Sequence, residues 1–281
     1  MVKNKFLIVE GGGFKTGFVS GVLDSFIINQ FNPFDGYIGV SGGSVALSYY
    51  LSQQYRFCLK AMLILAKDKN FTKYKRTLGE EGYMDIDFLA QVANKKVKFD
   101  IPKAIKFAQS KSLHFVATNR ESGKAEYLDP CILDWIDVVI ASCTLPFVTK
   151  GKHKINNASY LDGGWGDGLP VRWAYENGAR DIVIIRTKPI DISIKQSWSD
   201  YFGSIYFSSN PSLKSVFESA YVQYNESIKF INNPPSDLKI KQISPRKHLK
   251  SGTYTYSKKT IMNDYRYGID LGLQHIDENS A

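Results

Sequence analysis

Ser41 stands in Gly39-Val40-Ser41-Gly42-Gly43, a G-x-S-x-G sequence. Apolar Tyr37-Ile38 precedes it, and Val45, Ala46, Leu47, Tyr49, Tyr50 and Leu51 follow. That is the strand-turn-helix context a serine nucleophile needs. Glycines on both sides let two backbones approach, and the hydroxyl is left at a helix N-terminus, where amides favour developing negative charge. Taken alone, the cluster reads equally well as a plain βα turn. A second stretch, Glu10-Gly11-Gly12-Gly13-Phe14-Lys15-Thr16-Gly17, places three unscreened backbone amides in a row, able to converge on an anion. A nucleotide phosphate and a tetrahedral oxyanion are the two candidates. The nucleotide loops fail on spacing: Thr16 stands where G-x-G-x-x-G requires glycine, and no G-x-x-x-x-G precedes Lys15. A third stretch, Tyr160-Leu161-Asp162-Gly163-Gly164, ends a short strand on a carboxylate, although Asp-Gly is also a common turn pair.

A serine hydroxyl needs a base within hydrogen-bond reach. The chain has four histidines, His114, His153, His248 and His275, and none lies in a glycine-rich motif. A Ser-His-Asp triad would require one of them at the active edge, with His153 or His275 the better placed. A dyad requires only Asp162.

The elements that must position these residues read as alternating strands and helices. Phe6–Val9 is the opening strand. Phe18, Val22, Leu23, Phe26 and Ile27 then recur at helical spacing up to Asn32-Pro33. Ser44 to Gln54 and Lys60 to Ala66 read as helices, Gly79 to Gly82 as a turn, and a helix with an acidic first turn follows Tyr83. Ser112–Thr118 and Lys124–Leu128 form a hairpin about Asn119–Gly123. Ile136–Ala141 is an apolar helix and Arg172–Asn177 another, and Asp181–Ile185 has the apolar density of a central strand. In a parallel sheet, strand ends gather on one edge where ligands bind, so all three motifs are expected there. The last third is less patterned. Trp198 to Ile231 is rich in aromatic residues suited to core packing or to an acyl-pocket wall. Leu238–Ile243 reads as a strand and Ser257–Ile276 as a helix.

The chain of 281 residues, 43% hydrophobic and 22% charged, can bury a large core. No apolar run approaches the roughly 18 residues of a membrane span, and the N-terminus reads as a strand rather than a signal peptide. Three cysteines, Cys58, Cys131 and Cys143, lack metal-type spacing and suit a reducing, cytoplasmic setting. The net charge of +9 gathers in runs at Lys67–Arg76, Lys95–Lys98 and Lys239–Lys250. These would serve as a solvated face or meet an anionic membrane surface peripherally. No nucleic-acid module is present, so a nucleic-acid partner is not expected.

In order and combination the three motifs resemble those of the patatin-like phospholipase family. Ala141-Ser-Cys-Thr-Leu-Pro146 and the Thr118–Gly123 hairpin match as well. Phe18-Val-Ser-Gly-Val-Leu-Asp24 and Ser48-Tyr-Tyr-Leu-Ser52 are similar to a bacterial branch. The resemblance covers residues 5 to 190 and, more faintly, Asp264 to Gly268. It implies an α/β fold: a three-layer α/β/α sandwich with a mostly parallel sheet, forming a catalytic core over 1–190 with a C-terminal extension over 191–281. It implies Ser41 as nucleophile, Asp162 as base, and Gly11, Gly12 and Gly13 as oxyanion hole. Lys15 stands at the family's basic position beside that anion. No metal or other cofactor is implied. The substrate would be an acyl ester of a phospholipid or lysophospholipid. A soluble carboxylesterase and a catalytically silent lipid- or anion-binding protein are the alternatives. Thr16 replaces the last glycine of the family loop. It is expected either to strain the loop in a left-handed conformation or, preferentially, to cap the helix beginning near Gly17.

Overall fold

The computed structural model describes residues 4–68, 71, 84–146, 148, 149, 152–190 and 192–280. The expected turn at Gly79–Gly82 and the basic residues Lys69, Lys73, Lys75 and Arg76 lie outside them.

Strands buried on both faces build the centre of the molecule. Strand β1 (Asn4–Val9) sends Leu7 and Val9 to one face and Phe6 and Ile8 to the other, and β7 (Ala179–Ile185) divides Val183 and Ile185 from Ile182 and Ile184 in the same way. A strand buried on both faces requires helices on both sides. On the first face lie α1 (Thr16–Ile28), α2 (Gly42–Leu51), α3 (Phe57–Lys67), α4 (Ile86–Gln91), α5 (Ile101–Ala108), α6 (Trp135–Ser142) and α11 (Lys258–Ser280). On the second lie α8 (Val171–Glu176) and α10 (Pro211–Asn232), with α9 (Trp198–Tyr206) packed on α10; the short α7 (Gly163–Asp167) follows the third motif. This is the three-layer α/β/α sandwich expected from the sequence.

Among the described residues the sheet has eight strands. Its order is β5 (His153–Ile155), β6 (Ala158–Asp162), β3 (Ser112–Asn119), β2 (Gly36–Val40), β1, β7, β8 (Lys239–Ile243), with β4 (Ala125–Leu128) paired to β3. The β3–β2–β1–β7–β8 part is parallel, whereas β4, β6 and β5 join it antiparallel. The C-terminal residues therefore supply β8 to the same sheet, and α11 packs along α1.

Strand β3 decides the geometry of the site. Val116 pairs with Val40 of β2 and with Tyr127 of β4, so β2 and β4 lie on opposite edges. Ala117 pairs with Glu126 of β4 and with Asp162 of β6, so β6 lies on the edge that β2 has just left. Strands β2 and β6 thus share one edge of β3 and run toward each other, ending beside the adjacent residues Val116 and Ala117. This corrects the expectation that Asp162 reaches the site on a parallel strand end. It arrives from the opposite direction.

Candidate active site

Ser41 occupies the turn between β2 and α2 with φ 53° and ψ −128°, a conformation L-residues rarely adopt. Its neighbours permit the turn. A Cβ on Gly43 would sit 2.2 Å from the Val9 carbonyl oxygen, and one on Gly11 would sit 2.6 Å from the Ser41 Cβ, so both must be glycine. The Ser41 amide donates to Ser142 Oγ at 2.9 Å, and that hydroxyl also meets Ser44 Oγ at 2.9 Å. Ser142, at the end of α6, thereby fixes the elbow. Sequence reasoning quoted it only as part of a matching segment.

The Ser41 hydroxyl donates to Asp162 Oδ2 at 2.6 Å. The other carboxylate oxygen accepts the Gly164 amide at 2.8 Å. Around it, the Asp162 amide donates to the Thr144 carbonyl at 2.7 Å, and Thr118 Oγ1 donates to the Asp162 carbonyl at 2.7 Å. Both carboxylate oxygens and both backbone polar groups of Asp162 are therefore engaged. Burial pushes its pKa from 3.8 up to about 6, against the hydrogen bonds from Ser41 and Gly164. That value brings a carboxylate closer to the basicity useful for taking a proton near neutrality.

Gly11, Gly12 and Gly13 border a cavity together with Ser41 and Asp162. Among the described residues, none of the loop and turn hydrogen bonds uses an amide of these three as donor. The loop is fixed instead through its carbonyls: Thr187 Oγ1 donates to Gly11 O at 2.7 Å, the Lys15 amide to Gly12 O at 3.1 Å, and Thr16 Oγ1 to Gly13 O at 2.7 Å.

Both expectations for Thr16 are overturned. Its φ of −53° and ψ of −22° are right-handed helical, so no left-handed strain is stored. Nor is it the N-cap, because Lys15 holds that position without a side-chain cap bond and the Thr16 hydroxyl donates backward instead of accepting. A Cβ on Gly42 would meet Thr16 Oγ1 at 2.1 Å, so threonine fills the space beneath the residue that follows Ser41.

Behind the loop lies a polar cluster the sequence did not announce. Glu10, 2% exposed, accepts Lys188 Nζ at 2.6 Å, the Thr187 amide at 2.6 Å and the Tyr224 hydroxyl at 2.7 Å. Burial raises the Glu10 carboxyl, but the Lys188 charge and these hydrogen bonds outweigh it and hold the group below its ordinary range. Burial disfavours the Lys188 ammonium too, and the Glu10 carboxylate more than restores it, raising its pKa. Lys188 borders the cavity, whereas Lys15 packs over Gly12. Burial and the Lys188 charge lower the Lys15 pKa. The one available signal was Glu10 itself, a carboxylate between an apolar strand and a glycine loop.

The histidines lie elsewhere. His114 meets the Tyr127 carbonyl at 3.2 Å, His153 meets Asp137 at 3.1 Å, and His275 is buried beside the rings of Phe26 and Phe31. Burial drives the His275 pKa down to about 4. None of the four borders either cavity at Ser41.

Ser41 stands where two cavities meet. One, of about 250 Å³ and the more polar of the two, is bordered by Glu10, Asp162, Lys188, Trp165, Asp200 and Tyr221 among others. The second, of about 80 Å³, runs between the helices of the first layer and is walled by Met62, Leu65, Phe71, Met84, Ile86 and Leu89. The region from Trp198 to Ile231 packs into the core, one of its two expected roles, through Phe207, Leu213, Phe217, Ile228 and Ile231, and supplies Asp200, Ala220, Tyr221 and Tyr224 to the polar cavity.

A serine on a strained strand-helix turn, hydrogen-bonded to a buried aspartate beside three glycines, has the groups that serine acyl transfer requires. The family comparison agrees: residues 7–175 match the patatin-like phospholipase model, and the chain belongs to that family. Membership supports lipid acyl hydrolysis as the general activity. Residues 210–281 match a domain of unknown function, DUF6363. The chain is 30% identical over 267 residues to the uncharacterized protein YjjU of Escherichia coli strain K12, covering 93% of this chain and 74% of that one. Among solved structures, VipD from Legionella pneumophila aligns over 98% of this chain and 67% of its own length, with a TM-score of 0.44 and 13% identity. Among the described residues no helix is long and apolar enough to cross a membrane.

Proposed function

We propose that this chain hydrolyses fatty-acyl esters of phospholipids or lysophospholipids through an acyl-enzyme on Ser41, with Asp162 as the base. The observation that carries the reading is the 2.6 Å contact from Ser41 Oγ to Asp162 Oδ2 at the junction of an apolar and a polar cavity. Asp162 takes the hydroxyl proton as Ser41 Oγ attacks the ester carbonyl carbon. The carbonyl oxygen gains negative charge facing the amides of Gly11, Gly12 and Gly13, where loss of one donor typically costs about 3 kcal/mol of transition-state stabilisation. Collapse of the tetrahedral intermediate breaks the ester C–O bond, and the departing alcohol takes the proton from Asp162. Water then attacks the acyl carbon with Asp162 again as base, releasing the fatty acid and restoring the serine. We assign the start of the acyl chain to the apolar cavity and the leaving group to the more polar one. The absence of any histidine from both cavities favours a dyad over a triad.

The test is fluorophosphonate labelling followed by a lipid panel with mass-spectrometric products. Wild type should be labelled at Ser41 and release fatty acid from a phospholipid or lysophospholipid. Ser41→Ala should do neither while retaining its thermal transition. A label on Ser44 would relocate the nucleophile, and labelling at Ser41 with turnover of soluble esters alone would make the protein a carboxylesterase.

A further inference from the structure

Helix α9 is amphipathic in the reverse of the usual sense. Trp198, Tyr201, Phe202, Ile205 and Tyr206 recur at the i, i+3, i+4, i+7, i+8 spacing of a single stripe. On a surface helix such a stripe normally faces the core. Here these residues are 78%, 49%, 57%, 53% and 67% exposed. The side turned to the protein is the small and polar one. A Cβ on Gly203 would meet the Phe217 ring at 2.4 Å, Ser204 is buried, and Asp200 accepts the Trp165 indole N–H at 3.0 Å. A capping box between Ser197 and Asp200 fixes the start of the helix, so its orientation is built in. On the outer side the rings touch one another, Trp198 lying 6.3 Å from Tyr201 and 6.2 Å from Phe202 between centroids.

We infer that α9 is the surface by which the enzyme docks on a lipid bilayer, its aromatic stripe sinking into the boundary between headgroups and acyl chains. Three observations select a bilayer as occupant. The first is position: Asp200, from the inner side of the same helix, borders the polar cavity that holds Ser41 and Asp162. The second is composition, since tryptophan and tyrosine combine an apolar body with a polar tip and settle at the water–lipid boundary. The third is charge. The stripe carries no carboxylate, the helix's one acid is turned inward, and the exposed Lys195 just ahead of it complements anionic headgroups. The inference gives a purpose to the lipid-hydrolase reading and rests on it, but binding is tested on a protein that cannot turn over.

In the Ser41→Ala background, vesicles of phosphatidylcholine with phosphatidylglycerol should sediment the protein and shift its tryptophan emission to the blue, and Trp198→Phe should remove that shift. Replacing Phe202 and Ile205 together by serine should weaken binding by about tenfold or more, the scale expected from apolar area withdrawn from lipid. High salt should weaken binding less than this substitution does, because burial of rings is not screened. With Ser41 restored, the same pair should lower hydrolysis of vesicle lipid in proportion while leaving p-nitrophenyl acetate turnover within about twofold of wild type. Vesicle binding unaffected by the pair, or no vesicle binding at all, overturns the inference. So does a concentration-dependent dimer that the pair disperses, which would make the stripe a contact between copies. Persistence of p-nitrophenyl acetate turnover after replacing Ser41 or Asp162 would overturn the hydrolase reading alone, so the two can fail separately.

Discussion

Replacing Asp162 by asparagine should abolish activity and stabilise the fold, and the two effects share one cause. Burial moves the carboxyl from 3.8 to about 6. A carboxyl with a raised folded-state pKa costs nothing below both values, becomes costly as pH climbs between them, and carries its full cost above the folded value. Roughly two pH units at 1.36 kcal/mol each give an upper figure of about 3 kcal/mol. The asparagine side chain would keep an oxygen for the Gly164 amide and present an NH₂ toward Ser41 Oγ, so little hydrogen bonding need be lost. Denaturant unfolding at pH 8 should therefore find Asp162→Asn more stable than wild type by ~1–3 kcal/mol, with the advantage gone by about pH 4. Ester hydrolysis should fall by a factor of ~10²–10⁴, as for loss of a general base. Wild-type kcat/KM should rise with pH through an inflection near 6, where Asp162 ionises. A variant destabilised equally at both pH values, or a wild-type rate flat through that interval, would refute the reasoning.

Leu65→Trp should fill the apolar cavity and shift chain-length preference toward short acyl esters, by about tenfold in relative kcat/KM; the extra bulk costs ~1–3 kcal/mol only where the chain competes for space. An unchanged profile would place the acyl chain elsewhere. Glu10→Gln should strip Lys188 of its counter-charge and cost about 3–5 kcal/mol in denaturant unfolding, whereas Glu10→Gln with Lys188→Met should recover part of that loss; equal stability of the two variants would show that the pair is not coupled. Thr16→Gly should lower both stability and turnover, because it removes the 2.7 Å bond to Gly13 O and frees the loop. A deficit of about 1 kcal/mol is expected, and a gain in both would restore the strained-loop view.

Residue types and short-range order carried much of this in the sequence. The G-x-S-x-G turn, the triple glycine and Asp162-Gly163-Gly164 are local devices whose backbone requirements show in composition, so Ser41, Asp162 and the loop were legible as candidates. The unbroken apolar runs of β1 and β7 carried the two-faced sheet, because a strand buried on both faces has no polar side to show. Other features had no local signature. Ser41 and Asp162 are 121 positions apart, and they meet because β2 and β6 end head to head on one edge of β3, a register set by long-range pairing. Glu10 finds Lys188 across a separation of 178 positions. Thr16 was misread because its hydroxyl had a carbonyl to donate to, and only the path of the glycine loop put that carbonyl in reach. In α9 the aromatic content was readable but its stripe was not picked out, and a period would have given a stripe without its direction. The close seat of Gly203 on Phe217 and the bond from Trp165 to Asp200 turned that stripe to solvent.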